Sequence, residues 1–381
     1  MTDLPSNQIE LMPGVIDLGI GQPDFQLLPL AEMRRVATAR LAEADTTLLN
    51  YGYGMGDGRF RTELAAFLTR HYHIPVLPET LFATAGASQG LDLLCTLLTQ
   101  PGDTIFVEEP SYFLALKIFA DHGLHVVGIP TDSEGLIPDA VTEALRHHHP
   151  VFLYTIPAFQ NPSGTTMTAA RRQMLLSLAE AHDFLVVADE VYHLLAYTAV
   201  LPLPLAAFWE SRRVISIGSF SKIFAPGLRL GWLQAAPALL QPIAECGLVD
   251  SGGGLNHFTS ALVARLLADG EQDVVLARLQ QVYGKRVQVM AQAFDYHLAG
   301  YGTFVVPDGG FFFWVRLNDR VDTAVLQQLA PSFGVNFHPG SKFSSSQGCQ
   351  NAMRLSFAFY GEADLVEGVA RLGRLLTANL G

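Results

Sequence analysis

The chain has 381 residues, of which 49% are hydrophobic and only 16% charged, and a formal net charge of −12. That acidic balance repels phosphate backbones and argues against general nucleic-acid binding, while the apolar content argues against disorder and fits a well-buried globular enzyme or a tight oligomer. Three widely spaced cysteines, Cys95, Cys246 and Cys349, suggest neither a disulfide framework nor a zinc knuckle, so a reducing cytoplasm is the natural compartment.

The opening stretch "MTDLPSNQIELMPG" shows neither the basic nor the apolar region of a leader peptide. The uncharged run 151–170 is interrupted by Pro157, Asn161-Pro162 and Gly164, which a membrane helix would not favour, so no membrane association is expected. From about residue 80 to 235, short apolar runs alternate with longer amphipathic ones. "LFATA", "TIFVEE", "HVVGIP", "VFLYT", "FLVVAD", "RVISIG" and "RLGWLQA" read as seven strands, with helical windows at 89–99, 112–122, 138–147 and 168–182 between them. This is the pattern of an α/β fold: a mainly parallel sheet covered by helices on both faces, with ligands gathering at the loops beyond the strand ends.

From about 271 the texture changes to a long helical window, then strands in "FFFWVRL" and "NAMRLSFAFY" and a final amphipathic helix over 362–379. The expected organisation is a large domain, 46–274, and a smaller, discontinuous α+β domain made of 1–45 and 275–381. The run "RHHHP" at 146–150 reads as a solvated helix end rather than a metal site, because adjacent histidines do not share a helix face.

Five polar motifs fall on the predicted loops and strand ends. "GASQGLDLL" (86–94) is a glycine-rich turn between a strand and a helix, where free N–H groups and the helix dipole favour an anion; Ser88 and Gln89 add side-chain donors, although Ser88 alone also reads as a simple N-cap. Tyr112 follows the strand "TIFVEE" and is placed either to stack on a flat ring or to pack in the core. Asn161, in "FQNPSG", is held out of helix by the proline after it, and taken alone the motif reads as a plain turn. Asp189 ends the apolar strand "FLVVAD" and needs a partner if its pKa is not to rise; Tyr192 follows it. "SFSKIFAPGLRLGW" (219–232) sets Ser219, Lys222 and Arg229 in apolar surroundings, where the lysine reads either as a solvated surface residue on an irregular loop or as an amine that desolvation turns into a nucleophile.

Together these motifs supply an anion cradle, a stacking aromatic, a buried carboxylate, an amine and a cation within one sheet, the set that a phosphorylated pyridine aldehyde uses. The chain resembles the fold-type-I aminotransferases that depend on pyridoxal 5'-phosphate, and within them the aminoadipate/kynurenine branch, whose domains also occur in MocR-type regulators. The similarity runs from "LGIGQPDF" to "MRLSFAFY" and is most specific in "SFSKIFAPGLRLGW" and "FQNPSG". It implies that Lys222 forms the Schiff base and moves the proton, that Asp189 keeps the pyridine nitrogen protonated, and that Asn161 and Tyr192 hydrogen-bond the phenolic oxygen while Tyr112 stacks on the ring.

It further implies a phosphate held by Ser88, Gln89, Ser219, Arg229 and Tyr51 from a second subunit, hence a homodimer with shared active sites. Arg354, assisted by Asn161 and the Gly21 backbone in "GIGQPD", would clamp the substrate α-carboxylate. The expected activity moves an amino group between an L-amino acid and a 2-oxo acid. The alternatives are another pyridoxal-phosphate reaction on an amino acid, or a MocR-like effector-sensing module. The latter carries a DNA-binding domain ahead of this fold, for which "GIGQPD" at residue 19 leaves no room.

Two departures stand out. The segment "SGGGLNHFTS" (251–260) is richer in glycine than the better-known members, and its role is open. Aminoadipate-type relatives hold the substrate's distal carboxylate with an arginine from the N-terminal segment, whereas residues 1–33 here contain no arginine or lysine. The expectation is a preference for uncharged or aromatic side chains.

Overall fold

The computed structural model describes residues 8–197 and 200–380. All seven apolar runs form strands: β1 (Leu81–Thr84), β2 (Thr104–Glu109), β3 (His125–Asp132), and, after a two-residue β4 (Gly135–Leu136), β5 (Phe152–Thr155), β6 (Leu185–Asp189), β7 (Val214–Ser219) and β8 (Gly231–Ala235). Their order across the sheet is β1-β8-β7-β6-β5-β2-β3-β4. The centre, β7-β6-β5-β2-β3, is parallel, while β8 runs against both β1 and β7. The eighth strand, β4, folds back on β3 and is too short to carry a periodic signal.

The apolar strands are continuous because both faces are covered. Alternate residues point to opposite sides: Ile105, Val107, Phe152, Tyr154 and Val187 join the core beneath helices Gly58–Tyr72 and Ala87–Leu98, whereas Phe106, Leu153, Val186 and Ala188 pack under helices Pro138–Leu145 and Ala169–His182. Helices thus occupy both faces, and polar chemistry is confined to the strand ends.

A second, antiparallel sheet has the order β9-β10-β12-β11, from β9 (Gly302–Thr303), β10 (Phe312–Leu317), β11 (His338–Pro339) and β12 (Ala352–Ser356). It is flanked by helices Glu271–His297 and Glu362–Leu380, which pack on each other. Near the start of the chain, Ile16–Asp17 pair in parallel with Val335–Asn336, and Leu18 accepts a hydrogen bond from the Ser356 N–H at 2.6 Å. Among the described residues no helix is long and apolar enough to cross a membrane.

One buried polar clip holds the loops beyond β5. Arg172, 1% exposed, donates to the carbonyls of Pro157 (2.8 Å), Met167 (3.1 Å) and Leu203 (2.8 Å) and lies 3.8 Å from Glu190. Glu190 in turn accepts from the N–H groups of Leu205 and Ala206 and from Ser216 Oγ. Removing one member strands the rest without water. Arg172→Met should therefore cost about 3–5 kcal/mol in thermal or urea unfolding, whereas Arg146→Met, which breaks a solvent-exposed pair with Glu143, should be close to neutral.

Candidate active site

The C-terminal ends of the parallel strands, the turn after β1 and the second sheet enclose a cavity of about 920 Å³. Its wall includes Ser88, Tyr112, Asn161, Asp189, Tyr192, Ser219, Lys222, Arg229, Arg354 and Gly21, so ten of the twelve residues singled out in the sequence meet there. The other two stand apart. Gln89 turns its side-chain carbonyl back to the Ala85 N–H (3.1 Å), bracing the turn rather than facing the cavity, and Tyr51 is 79% exposed on the surface.

Asp189 shows how register builds the site. Tyr154 on β5 pairs with Val187 on β6, and Asp189, two residues on, shares that face. The Tyr154 hydroxyl donates to Asp189 Oδ2 at 2.7 Å. Oδ1 is buried yet has no hydrogen-bond partner among the described residues. Burial raises the carboxyl to about 6, against the pull of Tyr154, the Val191 N–H and Lys222. A buried acceptor on a cavity wall suits a ring N–H donor.

Lys222 stands in a one-turn helix, Phe220–Ile223, directly after β7. Its Nζ donates to the Gly21 carbonyl at 3.1 Å and lies 5.4 Å from the Phe311 ring and 5.7 Å from the Tyr192 ring. Burial and the neighbouring Arg354 cation bring its ammonium down to about 8, so an appreciable fraction is a free amine near neutral pH.

The anion end of the cavity lies at helix Ala87–Leu98. Its N-cap is Gly86, which supplies no side-chain cap, so the first N–H groups lack intrahelical acceptors. Gly86 has φ +95°, and a Cβ there would lie 2.8 Å from Arg229 Nη2: the guanidinium sits directly on the turn. Ser219 Oγ accepts from the Ser221 N–H (3.1 Å), which leaves its hydroxyl proton to donate. Helix start, hydroxyls and guanidinium converge as a phosphate group requires.

At the opposite end Arg354, 3% exposed, lies on β12 between Trp314 and His338. It donates to Asn161 Oδ1 (3.0 Å) and to the Gly19 carbonyl (2.7 Å), and its guanidinium lies 4.0 Å from the Phe312 ring centroid. Burial brings it down to about 10, still fully cationic, and its Nε has no partner among the described residues. With Oδ1 so committed, Asn161 has its amide N–H groups to offer the cavity. Sequence reasoning missed Tyr154 and the aromatic bed of Arg354, Phe312 and Phe343. Tyr154 carried a faint signal as a polar-tipped residue inside an otherwise apolar strand.

These residues fit a phosphorylated pyridine carbonyl compound and an amino acid together: an anion cradle, an amine, a carboxylate with one open oxygen and a carboxylate clamp lie on one wall. Comparison with known proteins agrees. The family model "Aminotransferase class I and II" matches residues 13–372. The chain is 32% identical over 367 residues to aromatic-amino-acid aminotransferase 1 of Thermococcus litoralis, covering 95% of this chain and 88% of that one. It is 33% identical over 372 residues to 2-aminoadipate transaminase of Thermus thermophilus, covering 96% and 90%. Kynurenine aminotransferase of Pyrococcus horikoshii, solved with PMP, superposes with a TM-score of 0.91 at 30% identity, covering 97% and 92%. The chain therefore belongs to the class I and II aminotransferases and is a pyridoxal-phosphate-dependent transaminase.

Proposed function

We propose that the cavity holds pyridoxal 5'-phosphate on Lys222 and exchanges an amino group between an L-amino acid with an uncharged or aromatic side chain and a 2-oxo acid. The observation that carries this is the buried, half-satisfied Asp189 on the same wall as a lysine lowered to about 8. When bound, the cofactor supplies an electron sink for the pair released at the substrate Cα. Asp189 Oδ1, buried without a partner among the described residues, would accept from the ring N–H and keep the proton there. Lys222 would carry the cofactor, and its amine would take and return the Cα proton of the substrate. Arg354 orients the substrate through its α-carboxylate, and Asn161, bonded to Arg354, ties that clamp to the phenolic oxygen, which Tyr192 shares. Tyr112 covers the ring, and the 87–88 N–H groups, Ser88, Ser219 and Arg229 take the phosphate.

Two further parts of the reading rest on the chain's organisation. The large unit, 46–274, carries the cofactor, while 1–45 and 275–381 form the unit that brings Arg354; the pairing of Ile16–Asp17 with Val335–Asn336 supports that division. Leu49, Tyr51 and Tyr53 are 77%, 79% and 65% exposed on one loop, which supports a homodimer in which Tyr51 reaches the second subunit's phosphate. The cytoplasm is the compartment this reading assigns.

The relatives' names span aromatic and aminoadipate donors, so the choice rests on the wall itself. Its cations among the described residues are Lys222, Arg229 and Arg354, each already engaged. His338 is driven down to about 3 by burial and by Arg354, so it is neutral, and Glu10 and Asp17 add negative charge. Ile9, Ile20, Phe25, Phe113 and Ile118 supply apolar surface. A distal carboxylate would be desolvated there without a counter-ion.

Borohydride reduction followed by peptide mapping tests the central assignment: the pyridoxyl group should be found on Lys222. An adduct on another lysine, or none in cofactor-loaded protein, would overturn it.

Asp189→Asn should keep Tyr154 as a hydrogen-bond donor but lose the charge, lowering kcat by roughly 10²–10³-fold with cofactor still bound. The same substitution should stabilise the cofactor-free chain at pH 8. The folded-state carboxyl at about 6 lies above its ordinary 3.8, so its stabilising proton is present below pH 4 and lost as pH rises through 6. Melting curves should show the gain at pH 8 and its disappearance near pH 4. Near-wild-type turnover with cofactor bound would refute the electronic role.

Across a panel of amino donors, aromatic and neutral side chains should exceed glutamate and aminoadipate in kcat/KM by at least about tenfold, or about 1.4 kcal/mol. The reverse order would point to Lys342, whose Nζ lies 4.4 Å from the Phe113 ring centroid, as an acting counter-ion.

A further inference from the structure

The glycine-rich segment 251–260 has a structural partner that connects it to the phosphate end of the cavity. After the short helix Gly247–Gly252 the chain passes Gly253 and Gly254 to Asn256, the N-cap of helix His257–Ala268. Asn256 caps nothing in its own helix. Its Nδ2 instead donates to the carbonyls of Leu228 (3.2 Å) and Arg229.

Arg229 is an unusual residue for such attention. Its backbone lies in the left-handed region (φ +47°, ψ +50°), where a side chain bearing Cβ is strained and persists only if its surroundings hold it there. The turn before it contributes the Pro226 carbonyl, which accepts from the Arg229 N–H at 3.2 Å and from Arg229 Nη1 at 3.4 Å. The Asn256 amide grips the other side of the same residue. That conformation is what lays the guanidinium over Gly86 at the start of helix Ala87–Leu98.

The glycines fix where Asn256 stands. Gly254 has φ +90°, and any Cβ there would collide with the Tyr53 carbonyl; Gly253 likewise abuts the Gly52 carbonyl at 2.9 Å from an added Cβ. The segment is therefore pressed onto the backbone of the loop that carries Tyr51, and bulkier residues would lift Asn256 away from Arg229.

We propose that Asn256 is a positioning residue for the phosphate site, holding Arg229 in its left-handed conformation so that the guanidinium faces the helix start, with Gly253 and Gly254 seating it against the Tyr51–Tyr53 loop. The inference rests on the cavity being the cofactor site. It adds to that reading a residue outside the cavity wall that acts only through Arg229.

The test uses the full chain freed of cofactor and two probes, pyridoxal 5'-phosphate and pyridoxal, which differ only in the phosphate. Asn256→Gly retains the left-handed backbone and removes the amide. Asn256→Asp keeps the shape and sets a carboxylate against two carbonyl oxygens. Both variants should bind pyridoxal 5'-phosphate at least about tenfold more weakly, as judged by absorbance titration, with pyridoxal affinity unchanged. Arg229→Ala should show the same selective loss, and Asn256→Gly added to Arg229→Ala should weaken binding no further, because the two act as one unit. Unchanged phosphate-dependent affinity, equal weakening for both probes, or additive losses in the double variant would overturn the role of Asn256 and leave the cofactor reading standing. A wild-type chain that binds neither probe would overturn both.

Discussion

The carboxylate of Asp189 is the group on which the site depends. Three carboxylates are buried at the strand ends of the large sheet: Glu108 on β2, Asp189 on β6 and Glu190 just after it. Each must be paired or lose its charge. Glu190 is consumed by two backbone N–H groups, Ser216 and nearby Arg172. Glu108 is pushed up to about 7 by burial and takes Thr155 Oγ1, the Ile156 N–H and the Gln160 amide. Only Asp189 keeps an oxygen without a partner among these three. Two of the carboxylates hold loops in place, and the third faces the cavity.

The loops so held are those that carry the chemistry. Gln160 donates both to Glu108 and to the Pro110 carbonyl, which joins the turn bearing Tyr112 to the turn bearing Asn161. Asn161 then accepts from Arg354, which comes from the second sheet and also binds the Gly19 carbonyl near the start of the chain. Three segments distant in sequence thus meet through two guanidinium bonds. Arg354 can remain charged at 3% exposure because those acceptors and the Phe312 face replace part of its hydration.

Much of this was legible in the chain. The seven strands could be located because a strand buried on both faces must be apolar throughout, and the intervening helices because they bury one stripe. Lys222, Asp189 and Asn161 stood out only together: each alone also reads as a surface lysine, a strand-end carboxylate or a plain turn, whereas one ligand uses all three. Tyr154 did not stand out, because a tyrosine in an apolar strand reads as core until register shows it opposite Val187 and within reach of Asp189. Gln89 was legible as a polar residue at a helix start, but local geometry turned it to the Ala85 N–H.

The sequence by itself determined the order of strands and helices, the chemistry of the motif residues and their family, since these depend on local periodicity and residue type. Tertiary structure decided which of those residues share a wall, because strand order in a parallel sheet does not follow chain order: β8 inserts between β1 and β7, bringing Arg229 to Gly86 across more than a hundred residues. It also decided what the glycine-rich segment does. Its glycines are required by a close approach to the Tyr53 carbonyl, and its asparagine by two carbonyls of a distant turn. Contacts of that kind have no periodicity and no local composition, and they exist only once the chain has folded.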